Sequence, residues 1–148
     1  MAVKLAIACD HAGVEFKEAI KAYLTGKADV LDLGTNTSDS VDYPDFGAAV
    51  GQAITEGKAT LGIVICGSGI GISIAANRFP AVRAALCMNS TMARLARQHN
   101  DANVLALGAR LIGIEIAHDC IDAFLNTKFE GGRHQKRVDK LTSCKMSS

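Results

Sequence analysis

The chain has 148 residues, of which 49% are hydrophobic, and its formal net charge is +1 at pH 7. This length predicts a single domain over residues 1–148, and the near-zero charge argues against nucleic acids and membrane surfaces as partners. The amino terminus leads directly into a short apolar strand without a signal peptide, and no apolar run approaches the roughly 18 residues of a membrane helix. Five scattered cysteines without a Cys-x-x-Cys pair indicate reduced thiols and a cytoplasmic location.

Short apolar runs alternate with helical patterns along the chain, which is typical of a parallel sheet covered on both faces. The runs predict five strands, at residues 3–9, 30–33, 61–66, 82–87 and 104–107. The fold class is therefore an α/β protein, a three-layer α/β/α sandwich with a Rossmann-like five-stranded parallel sheet. Pro44 suits the first turn of the second helix, and Asn89 or Ser90 can cap the fourth.

Helical spacing also predicts the core. The second helix is expected to bury Phe46, Ala49, Val50, Ala53 and Ile54. The fifth is expected to bury Ile116, Ala117, Cys120, Ile121, Phe124 and Leu125. Gly47 and Gly51 lie four residues apart and permit the close approach of another element, either from the same chain or from another subunit.

The third strand ends at Cys66 and is followed by a loop with three glycines, Gly67, Gly69 and Gly71, and a helix predicted over residues 70–78. Strand, glycine loop and helix together aim backbone N–H groups at an anion. A thiol at the end of the strand faces the positive end of the helix, which favours the thiolate. The structural alternative is a tight turn with a buried cysteine.

The spacing of this loop excludes three common phosphate loops. A nucleotide-hydrolase loop requires Lys-Ser/Thr after its last glycine, and a dinucleotide fingerprint requires glycine where Ile72 stands. A cysteine phosphatase requires an arginine at the far end, and this loop has none. A backbone anion cradle beside a candidate thiolate remains.

Ligands of open parallel sheets bind beyond the carboxyl ends of the strands. We expect polar groups from strands one, three and five, and from the end of the fourth helix, to converge there. Asp10 as a helix cap and His99 as a core histidine are the structural alternatives. The expected set is Asp10, His11, Cys66, Gly67, Ser68, His99, Asn100 and Arg110.

The carboxyl-terminal tail differs in composition. After Gly131-Gly132, a short basic helix is predicted to start at Arg133, with Arg137 on the same face and Lys140 continuing the stripe. This face is either a solvated surface or an arginine clamp for phosphate. The four histidines lack HExxH spacing, and no metal is predicted.

Five segments in order along the chain resemble the type B ribose-5-phosphate isomerases of the ribose/galactose isomerase family. They are residues 9–11, 42–44, 65–77, 97–104 and 130–134. One branch of that family carries a catalytic glutamate just after the third glycine. Here Ile72 stands at that position and Cys66 is present, so the chain resembles the cysteine branch; Ser68 stands where some members have threonine.

The resemblance implies interconversion of D-ribose 5-phosphate and D-ribulose 5-phosphate through a cis-enediolate, without metal or cofactor. It implies Cys66 as the base, Ser68 as an assisting hydroxyl, and ring opening by His99 with Asp10. It also implies two sets of substrate contacts. The sugar contacts are Asp10, His11, Tyr43, Gly67, Ser68, Gly69, Ile70, Gly71 and Asn100. The phosphate contacts are His11, Arg110, Arg133, His134 and Arg137.

The resemblance further implies the strand order 2-1-3-5-4 and a homodimer or tetramer with shared sites. It also implies that the tail, about residues 128–148, reaches the neighbouring subunit. Two alternatives stay open: an isomerase of allose 6-phosphate or galactose 6-phosphate, and a phosphosugar sensor without catalysis. The intact Cys66, Ser68 and His99 argue against the sensor, because a binder needs no base.

Overall fold

The structure, a computed structural model, describes residues 2–144. Its five strands are β1 (Val3–Cys9), β2 (Ala28–Asp32), β3 (Leu61–Cys66), β4 (Ala84–Leu86) and β5 (Val104–Gly108). Its six α-helices are α1 (Val14–Leu24), α2 (Tyr43–Thr55), α3 (Ile70–Ala76), α4 (Ser90–Asn100), α5 (Ile114–Asn126) and α6 (Gln135–Thr142). Short 3₁₀ turns at His11–Gly13 and Gly132–His134 precede α1 and α6.

All strands are parallel and lie in the order β2-β1-β3-β5-β4, which confirms the predicted order. Side chains alternate between the faces of each strand: Ile63 and Ile65 pack toward α1, α4 and α5, whereas Val64 and Cys66 pack toward α2 and α3. Both faces of the sheet are therefore covered, and the predicted α/β/α sandwich is confirmed.

Several predicted boundaries move by one or two residues: β2 spans Ala28–Asp32 where 30–33 was predicted, and β5 extends one residue further, to Gly108. Two other changes share a local reason. Helix α3 ends at Ala76, not at residue 78, and β4 is shorter than the predicted 82–87. The Asn77 side chain explains both changes, because its Oδ1 accepts the Ala84 N–H at 2.7 Å and its Nδ2 donates to the Ala84 carbonyl at 3.0 Å. The amide thus ends the helix and fixes the start of the strand.

The predicted core residues of α2 and α5 are buried or partly buried except at one position. Ile116 is 40% exposed, whereas Ala117, Cys120, Ile121 and Phe124 form the buried stripe of α5. Residue 116 is one position, or about 100°, away from the start of that stripe, which places it on the solvent side. The partly buried residues of the predicted set are Phe46, Ala49, Ile54 and Leu125.

The two glycines of α2 serve packing within the chain. Gly47 lies against Ala75 and the backbone of Ile72, and Gly51 lies against the ring of Phe79. Helices α2 and α3 are thereby held close together over the face of the sheet that carries Cys66.

The basic tail helix forms, but α6 begins at Gln135, after the 3₁₀ turn that contains Arg133. Of the predicted tail segment 128–148, residues 145–148 lie outside the described part. None of the helices formed by residues 2–144 is both long and apolar enough to cross a lipid bilayer.

Candidate functional site

Cys66 is the last residue of β3 and is 4% exposed. The chain turns sharply after it, because Gly69 adopts a left-handed conformation with φ of 77°. A side chain at Gly69 would also collide with Leu86 and the Leu107 carbonyl carbon. This turn points the Gly69 N–H at Cys66 Sγ, with a donor–acceptor distance of 3.1 Å. The thiol thus receives a backbone hydrogen bond that is strongest when sulfur is negatively charged.

The glycine loop presents further backbone donors. The Ile70 N–H donates to Ser68 Oγ at 3.1 Å, which leaves the Ser68 hydroxyl proton free for another partner. Within residues 2–144, the N–H groups of Gly67, Ser68 and Gly71 donate to no protein acceptor. Three of the five backbone donors of the predicted anion cradle are therefore available to a ligand, because the Gly69 and Ile70 N–H groups already bind the thiol and the hydroxyl.

Tyr43 covers this loop from the start of α2. Its ring lies so close to Gly71 that a β-carbon there would come within 2.6 Å of it. The residue before α2, Asp42, is extended, and Pro44 occupies the first turn, as predicted. The glycine at position 71 thus permits the phenol ring to close over the loop.

A cavity of about 580 Å³ opens where these groups meet. It lies at the carboxyl ends of β1, β3 and β5, as the fold predicts. Its lining residues are Asp10, Tyr43, Cys66, Gly67, Ser68, Ile70, Gly71, Ile74, Arg110 and Leu111.

Asp10 forms the cap considered from the sequence, and it also lines the cavity. Its Oδ1 accepts the Ala12 N–H at 3.0 Å and so caps the 3₁₀ turn after β1. The residue is 7% exposed and its remaining surface faces the cavity. The capping bond restricts rotation of this carboxylate at the wall of the cavity that Cys66 also lines.

His11 follows in the same turn and is held by a loop from the far side. Its Nδ1 accepts the Val41 N–H at 3.2 Å. The loop that carries Val41 is tied down near its start, where the fully buried Lys17 ammonium donates to Asp32 at 2.7 Å and to Asn36 at 2.7 Å. Burial acts to raise the pKa of Asp32, but hydrogen bonds from Lys17 and Lys21 outweigh it and lower the pKa.

Arg110 reaches the cavity from the loop after β5. Its backbone N–H donates to the Gly67 carbonyl at 2.9 Å, and its side chain packs against Gly67. Of the predicted phosphate contacts, Arg110 is the one that lines the cavity beside Cys66.

The prediction that all site residues converge in one crevice is wrong within a single chain. Helix α4 runs antiparallel to the strands, so His99 and Asn100 at its end lie at the amino-terminal edge of the sheet, before β5. Cys66 lies at the opposite edge, about 15 Å away along the strands at 3.3 Å per residue. Asn100 lines a separate cavity of about 380 Å³ together with Arg83 and Leu141.

The tail residues share the amino-terminal edge with His99. The rings of His99 and His134 stack with centroids 4.5 Å apart and planes 19° from parallel. Arg133 and Arg137 are exposed beside them. The predicted phosphate set is therefore divided within one chain, with His11 and Arg110 on one edge and the tail groups on the other.

Glu130 was not predicted as a site residue, yet its carboxylate lies beside the Nε2 atoms of both imidazoles. Its Oε1 is 3.7 Å from His99 Nε2 and 3.4 Å from His134 Nε2. Helical spacing gave no signal for this contact, because Gly131 and Gly132 interrupt the helical pattern between Glu130 and His134.

The other buried thiols differ from Cys66 in their surroundings. Burial raises the pKa of Cys9 to about 11, of Cys87 to about 12 and of Cys120 to about 11. These thiols are protonated at neutral pH and face the apolar core. Cys66 is the buried thiol that opens on the cavity and accepts a backbone N–H.

Comparison with known proteins defines the class. A family model described as Ribose/Galactose Isomerase matches residues 5–141. Ribose-5-phosphate isomerase B of Escherichia coli K12 is 47% identical over 141 residues, which are 95% of each chain. The predicted enzyme class, a sugar-phosphate isomerase, is confirmed.

Solved structures agree with this assignment. A ribose 5-phosphate isomerase from Thermotoga maritima superposes with a TM-score of 0.93 at 54% identity, covering 95% of this chain and 98% of that one. Ribose-5-phosphate isomerase B from Mycoplasma genitalium, solved with bound ribulose-5-phosphate, gives a TM-score of 0.92 at 42% identity over 97% and 96% of the two chains. The chain belongs to the ribose/galactose isomerase family.

Proposed function

We propose that this protein interconverts D-ribose 5-phosphate and D-ribulose 5-phosphate through a cis-enediolate. The observation that carries the proposal is the Cys66 thiol, which accepts the Gly69 N–H at 3.1 Å on the wall of the cavity. The activity of the relatives named above supports the choice of substrate.

In the proposed reaction, the Cys66 thiolate removes the proton from C2 of the open-chain aldose and returns it to C1. Negative charge develops on the two oxygens of the enediolate. The free N–H groups of Gly67, Ser68 and Gly71 are available for these oxygens, and each well-placed donor contributes about 3–4 kcal/mol in comparable sites. The chemistry requires no metal or coenzyme, because these donors stabilise the charge.

A proton must also move from the C2 hydroxyl to the C1 oxygen. The Ser68 hydroxyl suits this step, since the Ile70 N–H occupies one of its lone pairs and leaves its own proton available. Tyr43 closes over the same loop and contributes a hydrogen bond to the sugar. Asp10, fixed by its capping bond to Ala12, binds the ring oxygens.

Sugar phosphates arrive mainly as closed rings, and ring opening needs an acid and a base. His99 is assigned this role, with Asn100 binding the sugar beside it. Both lie at the sheet edge opposite Cys66 in the same chain, so the proposal requires His99 and Asn100 of a second copy. A two-fold dimer provides this arrangement twice, because each copy gives one edge to each site.

The same dimer joins the divided phosphate groups. His11 and Arg110 of one copy would meet Arg133, His134 and Arg137 of the other. Apolar side chains beside the cavity supply a contact surface, since Ile70, Ile74 and Leu111 are 50%, 60% and 51% exposed in the single chain.

The five free cysteines support a cytoplasmic location.

The test is turnover of D-ribose 5-phosphate in metal-free buffer by the wild type and by Cys66→Ala. We expect a loss of about 10²- to 10⁴-fold in kcat with sugar binding retained. Cys144→Ser, at an exposed thiol, is the matched control and keeps wild-type turnover. Activity surviving in Cys66→Ala would contradict the assigned base. A kcat/KM that favours allose 6-phosphate or galactose 6-phosphate would contradict the pentose assignment.

A further inference from the structure

We propose that His99, Glu130 and His134 form a binding site for a divalent metal ion of the zinc class, and that an ion there inhibits the enzyme. The metal-binding part stands on the geometry of these three side chains. The inhibition rests on the proposed function, in which His99 opens the sugar ring.

The three side chains already lie close to a ligating arrangement. Their ligand atoms all lie within 4.8 Å of one another. Glu130 Oε1 is 3.4 Å from His134 Nε2 and 3.7 Å from His99 Nε2. In a tetrahedral zinc site with bonds of 2.0–2.2 Å, neighbouring ligand atoms are about 3.3–3.6 Å apart. The distance from Glu130 to His134 already lies in this range, and the distance from Glu130 to His99 has to contract by only a few tenths of an ångström.

The backbone fixes the three residues next to one another without an ion. The Glu130 N–H donates to the Gln98 carbonyl at 3.1 Å, which ties the tail to the end of α4 beside His99. The His134 N–H closes the following turn onto the Gly131 carbonyl at 3.0 Å. The ligands thus come from two segments that are already joined, so binding does not have to order them.

One ligand is rigid and two are adjustable. The His134 side chain is 8% exposed, whereas those of His99 and Glu130 are 40% and 49% exposed. The stacked rings are nearly parallel, so both Nε2 lone pairs reach one ion only after the His99 ring turns out of the stack. Its exposure allows that rotation, and binding would replace the stacking contact with a metal bond.

The donor set selects the ion. Two imidazoles and one carboxylate are the ligands of many three-residue zinc sites, which keep a fourth position for water. Mg²⁺ and Ca²⁺ prefer oxygen ligands and are disfavoured by two nitrogens. An ion here would hold the Nε2 of His99 and so remove its ability to exchange a proton with the sugar ring.

The first test is calorimetric titration of the full chain with Zn²⁺, repeated with Co²⁺ to record its visible absorption, under reducing conditions. We expect one ion per chain and nitrogen–oxygen ligation without a thiolate charge-transfer band. Glu130→Gln should weaken binding by at least about tenfold, since loss of even an outer partner of a ligand costs 10–100-fold. Glu115→Gln, an exposed glutamate at the start of α5, is the matched control and should bind like the wild type.

The second test measures ribose 5-phosphate turnover against Zn²⁺ concentration, each variant being compared with its own metal-free rate. Inhibition should be reversed by a chelator and shifted to higher Zn²⁺ in Glu130→Gln but not in Glu115→Gln. Equal binding and equal inhibition in Glu130→Gln would overturn the proposal and point to the Cys66 thiol. If the protein turned over no pentose phosphate at all, the titration would still decide the metal site.

Discussion

The backbone N–H of Val41 donates to Nδ1 of His11, 30 residues earlier in the chain, at 3.2 Å. A neutral imidazole that accepts at Nδ1 carries its proton on Nε2. With Nδ1 occupied in this way, Nε2 is the ring nitrogen of His11 that remains to donate to the phosphate in the proposed function. The buried Lys17 ammonium donates to Asp32 and Asn36, and these hydrogen bonds fix the start of the loop that contains Val41.

Replacing His11 should weaken substrate binding more than chemistry. A hydrogen bond to a charged group contributes about 1.5–3 kcal/mol, so we expect His11→Asn to raise KM for ribose 5-phosphate by about 10–100-fold. His118→Asn, on α5 and away from the cavity, is the control and should leave KM unchanged. Steady-state kinetics measures both, and a loss confined to kcat in His11→Asn would contradict a phosphate-binding role.

The division of the site between two sheet edges predicts complementation between inactive variants. Cys66→Ala and His99→Asn should each be inactive alone, because each lacks one half of every site. After mixing and reassembly, half of the dimers combine the two variants and contain one intact site out of two, which gives about a quarter of wild-type activity.

Measurement of turnover before and after mixing decides the matter. A mixture of Cys66→Ala with the double variant Cys66→Ala/His99→Asn is the control and should stay inactive. If the first mixture also stayed inactive although exchange of labelled subunits was complete, the shared site would be wrong.

The contact between Gly71 and Tyr43 predicts a sensitive position. A β-carbon at residue 71 would lie 2.6 Å from the phenol ring, so Gly71→Ala has to displace Tyr43 from the cavity. We expect kcat/KM to fall by at least about tenfold, since displacements of about 1 Å in a site can cost far more. Gly113→Ala is the matched control, because a β-carbon there meets no atom within 4 Å. Equal kinetics in both variants would show that the Tyr43 ring does not have to lie over the loop.

The buried thiols predict how stability depends on pH. Burial raises the pKa of Cys87 from 9.0 to about 12, so the unfolded chain loses this proton first as the pH rises. The stabilisation that the protonated thiol contributes is complete below pH 9 and is lost as the pH approaches 12. The free energy of unfolding should therefore fall over that range. Cys9 and Cys120, with pKa values of about 11, act in the same direction.

Urea unfolding at several pH values measures this dependence. Cys87→Ala should be less stable at pH 8 because of the lost packing, yet its stability should fall less steeply above pH 9. Cys144→Ala, at an exposed position, should retain the slope of the wild type. Parallel slopes for Cys87→Ala and the wild type would contradict the raised pKa.

The sequence was sufficient for the features that depend on local pattern. The third strand, the glycine loop and the thiol at position 66 were predicted where they occur, because apolar runs and glycine spacing report local structure directly. The position of His99 was not predicted. Helical spacing indicates which face of a helix a residue occupies, but it does not indicate at which edge of the sheet the helix ends. Tracing α4 back against the strands would have revealed the opposite edge.

Other misses have the same origin in nonlocal contacts. The early end of α3 depends on a side-chain amide of Asn77 that pairs with Ala84 across a turn, which no periodicity reports. Glu130 was not predicted because it lies in an irregular segment and its partner His99 lies 31 residues earlier, on α4. The wrong prediction for Ile116 has a local cause instead, because this apolar residue lies outside the buried stripe of α5.

The opposite placement of the cysteine and histidine edges gives the protein a dependence on its own abundance. Under the proposed arrangement, a lone subunit holds two incomplete halves that cannot meet, because a rigid sheet separates them. Specific activity would then fall on dilution below the subunit dissociation constant and recover on concentration. A cell that makes little of this chain would therefore hold fewer active sites than its number of subunits implies. As the subunit concentration rises through the dissociation constant, turnover would increase more steeply than the subunit concentration.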